Sequence, residues 1–568
     1  MLGTDFILDA LAREGVSHLF MVPGGLVDPF LPALGRQTAL TPIVAAQEGG
    51  AAYMADGYAR ASGGMGAALC IGGPGLSNTA TAIAAARTDG SPVLLISGEV
   101  ANSFEGRGMF QDASAETLDD VSVMRPITRF STSVSSPQNL PHLFRHAVVA
   151  ARTAPCAPTH ISVPHDAQTI AVDVDYAALP ASLIRPQLLD IESATQSLAK
   201  FTSSAARIVV LAGAGVEHAN AATPLLSFAE SWGIPVATTL RAKGIFPEDH
   251  PLSLGVFGYA GTHHARAAIL DEAPDLLIIL GSGLNERDTL YWSLKLDPKR
   301  SICLNLDVAT MAQAAGGALV LGDAHSYLDF LSNRKAAIAP GLEATRAARA
   351  QWLAEIRARP RLQDPQNCQN NAVPLHPARA ISALRRAFPR DGILLVDSGA
   401  HRAFAGHYWE SYAPRTYISA TNLGPMGWAV PAAIGVQCAS PGRRVAVITG
   451  DGCMHMQGIE VATAARYGLP IVYVVLNNAA LGNVWLRAHT EGPIPAELTS
   501  LPNLDWAGFG RSLGANGITV LDPGQLGHAF ATALQNKGPT VIDIKTDKTF
   551  TTPVADFSAA AAKFSYHE

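Results

Sequence analysis

Apolar residues fall along this chain in short continuous runs separated by stretches with helical spacing. Val445-Ala446-Val447-Ile448-Thr449 and Pro470 to Leu476 are runs of strand length, the pattern of parallel strands covered on both faces. Met454 to Tyr467, between them, has helical spacing, so this region predicts a βαβ unit. Gly450-Asp451-Gly452-Cys453 follows the first run and Leu476-Asn477-Asn478 ends the second. Both polar signals therefore stand at carboxyl ends of strands, where open α/β sheets bind ligands. Glycines around an aspartate let backbone N–H groups approach a phosphate while the carboxylate holds Mg²⁺. Gly-Asp-Gly on its own is also an ordinary turn.

The same rhythm runs through the rest of the chain. Asp5 to Glu14 predicts a helix and Val16 to Val22 a strand ending in Pro23-Gly24-Gly25. Leu40 to Ala45 leads to Ala46-Gln47-Glu48 and a long Ala-rich helix through Arg60, while Gly66 to Ile71 and Val93 to Ser97 are further buried strands. A second series comprises Ile208 to Leu211, Ile234 to Thr239, Leu276 to Leu280 and Ser301 to Leu306. A third takes in Gly392 to Val396, the βαβ unit and Pro539 to Ile544. Linker-like composition over 171–188 and 335–373 separates them. The prediction is α/β, three doubly wound parallel-sheet domains over 1–170, 188–333 and 374–550, followed by an Ala-rich tail, Phe557 to Phe564, with the look of a short helix.

Length agrees, because 568 residues exceed what one core sustains. Hydrophobic residues make up 48% and charged residues 15%, and the net charge of −6 includes no basic block, which argues against a nucleic-acid partner. Six cysteines without a C-x-x-C pair suit reduced thiols in a cytoplasmic enzyme better than disulfides or zinc. No window is apolar for the ~18 residues a membrane helix needs, and the amino terminus lacks the layout of a signal peptide.

Taken whole, the segment from Gly450-Asp451-Gly452 to Asn477-Asn478 resembles the thiamine-diphosphate motif of the pyruvate-decarboxylase and acetolactate-synthase superfamily. The resemblance is nearest to the acetolactate synthase large (catalytic) subunit and extends over nearly the whole chain. Phe20-Met21-Val22-Pro23-Gly24-Gly25, the helix beginning Gln47-Glu48-Gly49-Gly50, Phe110-Gln111-Asp112 and Asn422-Leu423-Gly424-Pro425-Met426-Gly427-Trp428 carry it. It implies pyrimidine, central and diphosphate domains in that order. It also implies that Glu48 bonds the aminopyrimidine N1′ of the cofactor, with Gln111 and Gly25 on the substrate side. A glutamate opening a helix is otherwise a first-turn charge on the helix dipole. The implied role calls for a buried carboxyl group, shifted upward by desolvation.

By the same resemblance Met426 supports the bent cofactor, and Gly424 accepts from its 4′-amino group through a carbonyl. Gly399, Ala400 and His401 contact the diphosphate, with Gly450, Asp451, Gly452, Cys453 and Asn478 completing the cradle. Mg²⁺ falls to Asp451, Asn478 and the carbonyl of Ala480. The implied reaction is decarboxylation of a 2-oxo acid followed by carboligation. The implied assembly is a homodimer or homotetramer with active sites between subunits. Non-ligating decarboxylases, flavin-dependent oxidases and non-catalytic homologues share the pattern and stay open. Two positions depart from the family. Arg487 stands where the biosynthetic acetolactate synthases have a tryptophan, and suits an anionic acceptor; the segment from Arg487 to Gly492 is expected to cap the site. His165 stands where FAD-binding members often have lysine. Gly213-Ala214-Gly215, Arg241, Gly281 to Arg287, Asp307 and Gly322-Asp323 resemble FAD-binding turns in part, so FAD in the central domain stays open too.

Overall fold

The apolar runs form three six-stranded sheets in the computed structural model, which describes residues 1–184, 187–202, 206–313, 317–491 and 494–554. The first sheet contains β1 (His18–Met21), β2 (Thr41–Val44), β3 (Gly66–Ile71), β4 (Val93–Glu99), β5 (Phe130–Ser133) and β6 (Thr159–Pro164), ordered β2-β1-β3-β4-β6-β5. The second contains β7 (Ile208–Ala212), β8 (Val236–Thr238), β9 (Ser253–Val256), β10 (Leu276–Leu280), β11 (Ser301–Asn305) and β12 (Ala318–Leu321), ordered β12-β11-β10-β7-β8-β9. The third contains β13 (Ile393–Val396), β14 (Tyr417–Ile418), β15 (Val445–Gly450), β16 (Ile471–Asn477), β17 (Asn516–Val520) and β18 (Thr540–Lys545), ordered β14-β13-β15-β16-β18-β17. All registered pairs are parallel. The first and third sheets share one strand order, whereas the second, read from its β9 edge, has the strand order of a dinucleotide-binding fold.

The predicted continuous helix over Met454–Tyr467 is divided into a helix at Asp451–Gln457, a 3₁₀ turn at Gly458–Glu460 and a helix at Val461–Arg466. The break turns the Glu460 carboxylate inward, where it accepts from the backbone N–H groups of Ala46 and Gln47 in the first domain. The Ala-rich stretch from Phe557 to Phe564 lies outside the described residues.

The helix Glu48–Ser62 starts at Gln47, whose side chain accepts from Gly50 N, and stops at Gly63 with φ of 66°, a left-handed conformation that glycine adopts without a Cβ penalty. It packs backbone to backbone on Ala429–Ala439 of the third domain. A Cβ on Gly435 would stand 1.8 Å from Met54 O, and one on Gly57 2.1 Å from Ala432 O. Their side chains share one hydrophobic core. Beside this contact the buried Asp89 accepts from Arg60 at 3.0 Å and from Asn422 N at 3.3 Å, with Arg241 of the central domain 3.8 Å away. One carboxylate thus touches all three domains.

Candidate active site

The third sheet changes winding direction between β13 and β15, and the turns after those strands diverge to leave a cleft. Gly399, Ala400, His401, Met426, Gly450, Asp451, Gly452, Cys453, Asn478 and Ala480 all line it. The chain thus gathers ten of the residues named from sequence, spread from Gly399 to Ala480, on one wall.

Asp397, at the end of β13, holds the wall together. Its Oδ1 accepts from Ser398 N and Gly427 N, both at 2.9 Å, and its Oδ2 from Thr449 Oγ1 at 3.1 Å. Burial pushes its carboxyl up to about 6. Gly427, with φ of 87°, makes the turn that brings Met426 against Gly452, where a Cβ would meet Met426 Cε at 2.9 Å. The Gly424 carbonyl accepts from Ser398 Oγ at 2.7 Å, so within this chain it already has a donor. The Cys453 thiol donates to Ser398 O at 3.2 Å, and burial holds it well above the usual thiol range. Cys453 therefore offers the site a backbone group and not a thiolate.

His401 is packed under the glycines. A Cβ on Gly399 would meet its Cε1 at 2.5 Å, and one on Gly450 would meet the same atom at 3.1 Å. Burial, with Arg402 adding, pushes the imidazole down to about 3, so it is neutral. Its Nε2 is buried and has no hydrogen-bond partner among the described residues. A buried, unpaired ring nitrogen beside two glycine turns at helix starts fits a diphosphate oxygen as a donor, in the neutral tautomer that carries its proton on Nε2.

Asp451 accepts from Gly452 N through Oδ1 and from Ala480 N through Oδ2, each at 3.1 Å, and burial pushes it up to about 6. Ala480 N also reaches Asn478 Oδ1 at 3.1 Å. The two asparagines divide the work. Asn477 is buried, donating to Asp543 Oδ1 at 3.1 Å and accepting from Ala479 N at 3.3 Å, while Asn478 lines the cleft. Among the described residues no three His, Cys, Asp or Glu side chains converge as a metal site. The cleft instead offers oxygen donors of another kind, the Asp451 carboxylate and the Asn478 amide, which could serve a hard cation together with phosphate oxygens.

Sequence reasoning passed over Ser398, Phe404, Leu481 and the C-terminal residues Thr546 to Lys548 and Phe550, which also line the cleft. Ser398 and Leu481, each next to a residue already singled out, carried a local signal. Lys548 follows β18 and lies 5.4 Å over the Trp485 ring, whose other neighbour is the stacked His489 at 4.1 Å. Val484 and Leu486 of the helix Gly482–Glu491 face the cleft, whereas Arg487 is exposed and does not line it. Gly492 lies outside the described residues.

Glu48, Gln111 and Gly25 belong to the first domain and do not line this cleft. Glu48 is half-buried, not enclosed, and its Oε2 accepts from Asn78 Nδ2 at 2.9 Å. Gln111 stands at φ of 60°, with its carbonyl against the Gly72-Gly73 turn, and Gly25 opens a 3₁₀ turn at the end of β1.

Comparison with known proteins agrees with this architecture. Residues 397–544 match the C-terminal TPP binding domain of the thiamine pyrophosphate enzymes, residues 1–120 their N-terminal TPP binding domain, and residues 195–331 their central domain. The chain belongs to the thiamine pyrophosphate-dependent enzymes. Its relatives include the probable acetolactate synthase large subunit of Methanocaldococcus jannaschii, 32% identical over 96% of this chain and 92% of that protein. The acetolactate synthase large subunit of Corynebacterium glutamicum is 31% identical over 96% and 86% respectively. The glyoxylate carboligase of Escherichia coli is 27% identical over 96% and 93%.

Proposed function

We propose that this enzyme decarboxylates a small 2-oxo acid and ligates the remaining acyl unit to an acceptor, as an acetolactate synthase does, with thiamine diphosphate and Mg²⁺. The observation that carries the reading is the single wall uniting the Asp451–Asn478–Ala480 set with the unpaired His401 Nε2. Asp451, Asn478 and the Ala480 carbonyl hold the metal. The N–H groups around Ala400 and Gly452, with His401 Nε2, hold the diphosphate. Bound thiamine diphosphate supplies the electron sink that loss of carbon dioxide requires. Asn78 fixes Oε2 of Glu48 and so leaves Oε1 to hold the proton that passes to and from the aminopyrimidine. Met426 and Leu481 give the cleft an apolar wall that excludes water.

The cleft lacks an acid from the first domain, and Phe110, on the Gln111 loop, is 84% exposed. Both features support an active site shared between two copies of the chain, each lending Glu48, Gln111 and Gly25 to the other, in a homodimer or homotetramer. Six free cysteines support a cytoplasmic location; among the described residues no helix is long and apolar enough to cross a membrane. For FAD, the support is the dinucleotide-binding strand order of the second sheet and the tight glycine turns after β7 and β10, where a Cβ on Gly215 would meet Gly281 Cα at 2.7 Å. Visible absorption of the purified protein tests it.

The relative that acts as a glyoxylate carboligase makes glyoxylate the second donor to try. Carbon dioxide and ligated product should be followed together for pyruvate and for glyoxylate, with wild type and Glu48→Gln. Ligated product from either acid, reduced about a hundredfold or more in the variant, is the expected result. Carbon dioxide with free aldehyde only would replace ligation by simple decarboxylation. Undiminished turnover by Glu48→Gln would remove Glu48 from the chemistry.

A further inference from the structure

Two carboxylates approach the same turn in the interior of the first domain, and among the described residues neither has a salt-bridge partner. Glu99 ends β4 and is 3% exposed; Asp120 opens the short helix Asp120–Met124 and is 1% exposed. Both converge on Gly72, where a Cβ would stand 3.0 Å from Asp120 Oδ2 and 3.3 Å from Glu99 Oε2. Glu99 Oε1 accepts from Val100 N at 2.7 Å and from Ala113 N at 3.2 Å, whereas the buried Oε2 has no partner among the described residues. Asp120 accepts from Gly73 N at 3.0 Å, and its own N–H donates to Ala113 O. The pair therefore ties together the foot of the 101–119 loop and the Gly72-Gly73 turn on which Gln111 rests.

The surrounding charges are of the wrong sign to relieve it. Glu105 and Asp112 of the loop face Glu99, and Asp119 faces Asp120. Cys70 of β3, itself pushed up by burial, adjoins both Asp120 and Glu48. The Arg125 guanidinium acts on Asp119 instead. Two acceptor-only oxygens buried together are stable when one of them carries a proton. Burial first, then the charges of Glu99 and Asp119, push Asp120 up to about 7 against the Gly73 N–H, and burial likewise raises Glu99.

We propose that Glu99 and Asp120 share one proton that fastens the Gln111 loop to the Gly72-Gly73 turn, so that the loop is held while the proton stays and loosens when it leaves. Both are positioning residues, acting on substrate only through Gln111; that consequence rests on the function proposed above, but the loop's attachment does not. The sign follows from linkage. The folded pair keeps a proton that an unfolded chain releases near ~4, so its stabilisation is full at low pH and declines as pH rises toward neutrality and beyond.

Hydrogen exchange of the whole enzyme, corrected for intrinsic rates, tests this without reference to turnover. In wild type, peptides covering 101–119 should exchange on the order of tenfold faster at about pH 8 than at about pH 6. In Glu99→Gln the amide replaces the shared proton by a permanent N–H donor, and protection should be the same at both pH values. Asp120→Asn serves as the second variant if Glu99→Gln does not fold. Flat exchange in wild type would overturn the proposal, as would an unchanged pH response in a folded variant. A donor-acid KM that rises with pH while loop protection stays constant would overturn it too, yet leave the proposed function standing.

Discussion

Gln47 donates its backbone N–H to Glu460 Oε1 at 3.1 Å, and Ala46 donates to Glu460 Oε2 at 3.2 Å. A buried carboxylate of the third domain therefore caps the helix whose first residue is Glu48. Thr463 Oγ1 donates to the same carboxylate at 2.6 Å, and a Cβ on Gly50 would stand 2.0 Å from it. Glu460→Ala leaves these two part-buried N–H groups and the buried Thr463 Oγ1 without their acceptor. We expect a loss of about 3 kcal/mol in denaturant unfolding, with turnover falling further than thiamine diphosphate binding, because the displaced residue is Glu48 and not the diphosphate cradle.

Gly435→Ala places a methyl group 1.8 Å from Met54 O, a backbone atom inside the contact between the two domains. Helix propensity alone would favour alanine. Overpacking should win, destabilising by about 2 kcal/mol or more, and a lowered midpoint of thermal unfolding checks it.

Metal binding should depend on pH through Asp451. Burial raises its carboxyl to about 6, so the uncomplexed enzyme holds a proton there at low pH, and a Mg²⁺ bound there as proposed would have to displace it. Mg²⁺-dependent binding of thiamine diphosphate, followed by calorimetry, should weaken as pH falls below about 6. Without metal the sign reverses: this group's contribution to stability is full below the unfolded value of ~3.9 and is lost as pH rises through about 6. Asp451→Asn should remove the low-pH weakening and reduce affinity by about tenfold to a hundredfold.

His401→Ala removes a cleft-lining side chain whose ring nitrogen Nε2 is buried and unpaired among the described residues. Thiamine diphosphate should bind about tenfold more weakly, while thiamine itself loses little. The wild-type imidazole, held down to about 3, stays neutral across the working range, so this difference should be constant from mildly acid to mildly alkaline pH.

The central strands and the site wall were legible along the chain because both report strong local constraints. β7, β10, β13, β15 and β16 are buried on both faces and therefore read as unbroken apolar runs. β5, β9, β12, β14 and β17 were not anticipated, and each lies at a sheet edge. There, one side of the ladder has no neighbour, and the strands are short or of mixed burial. β6 is interior but was also missed. Its polar Thr159, His160 and Ser162 are buried, and His160 is satisfied by Ser97 Oγ and Ser131 Oγ, each at 2.9 Å.

By itself, the sequence determined three parallel α/β layers and the residue types that stand at their carboxyl ends, since strand periodicity and glycine turns are properties of neighbouring residues. Tertiary structure alone decided which of those turns meet. It seated His401 beneath Gly399 and Gly450, gave Asp397 its three donors, divided Asn477 from Asn478, and kept Glu48 out of the cleft of its own chain. Each of these depends on contacts between segments far apart in the chain, where desolvation and van der Waals exclusion act on groups whose encounter no local pattern encodes.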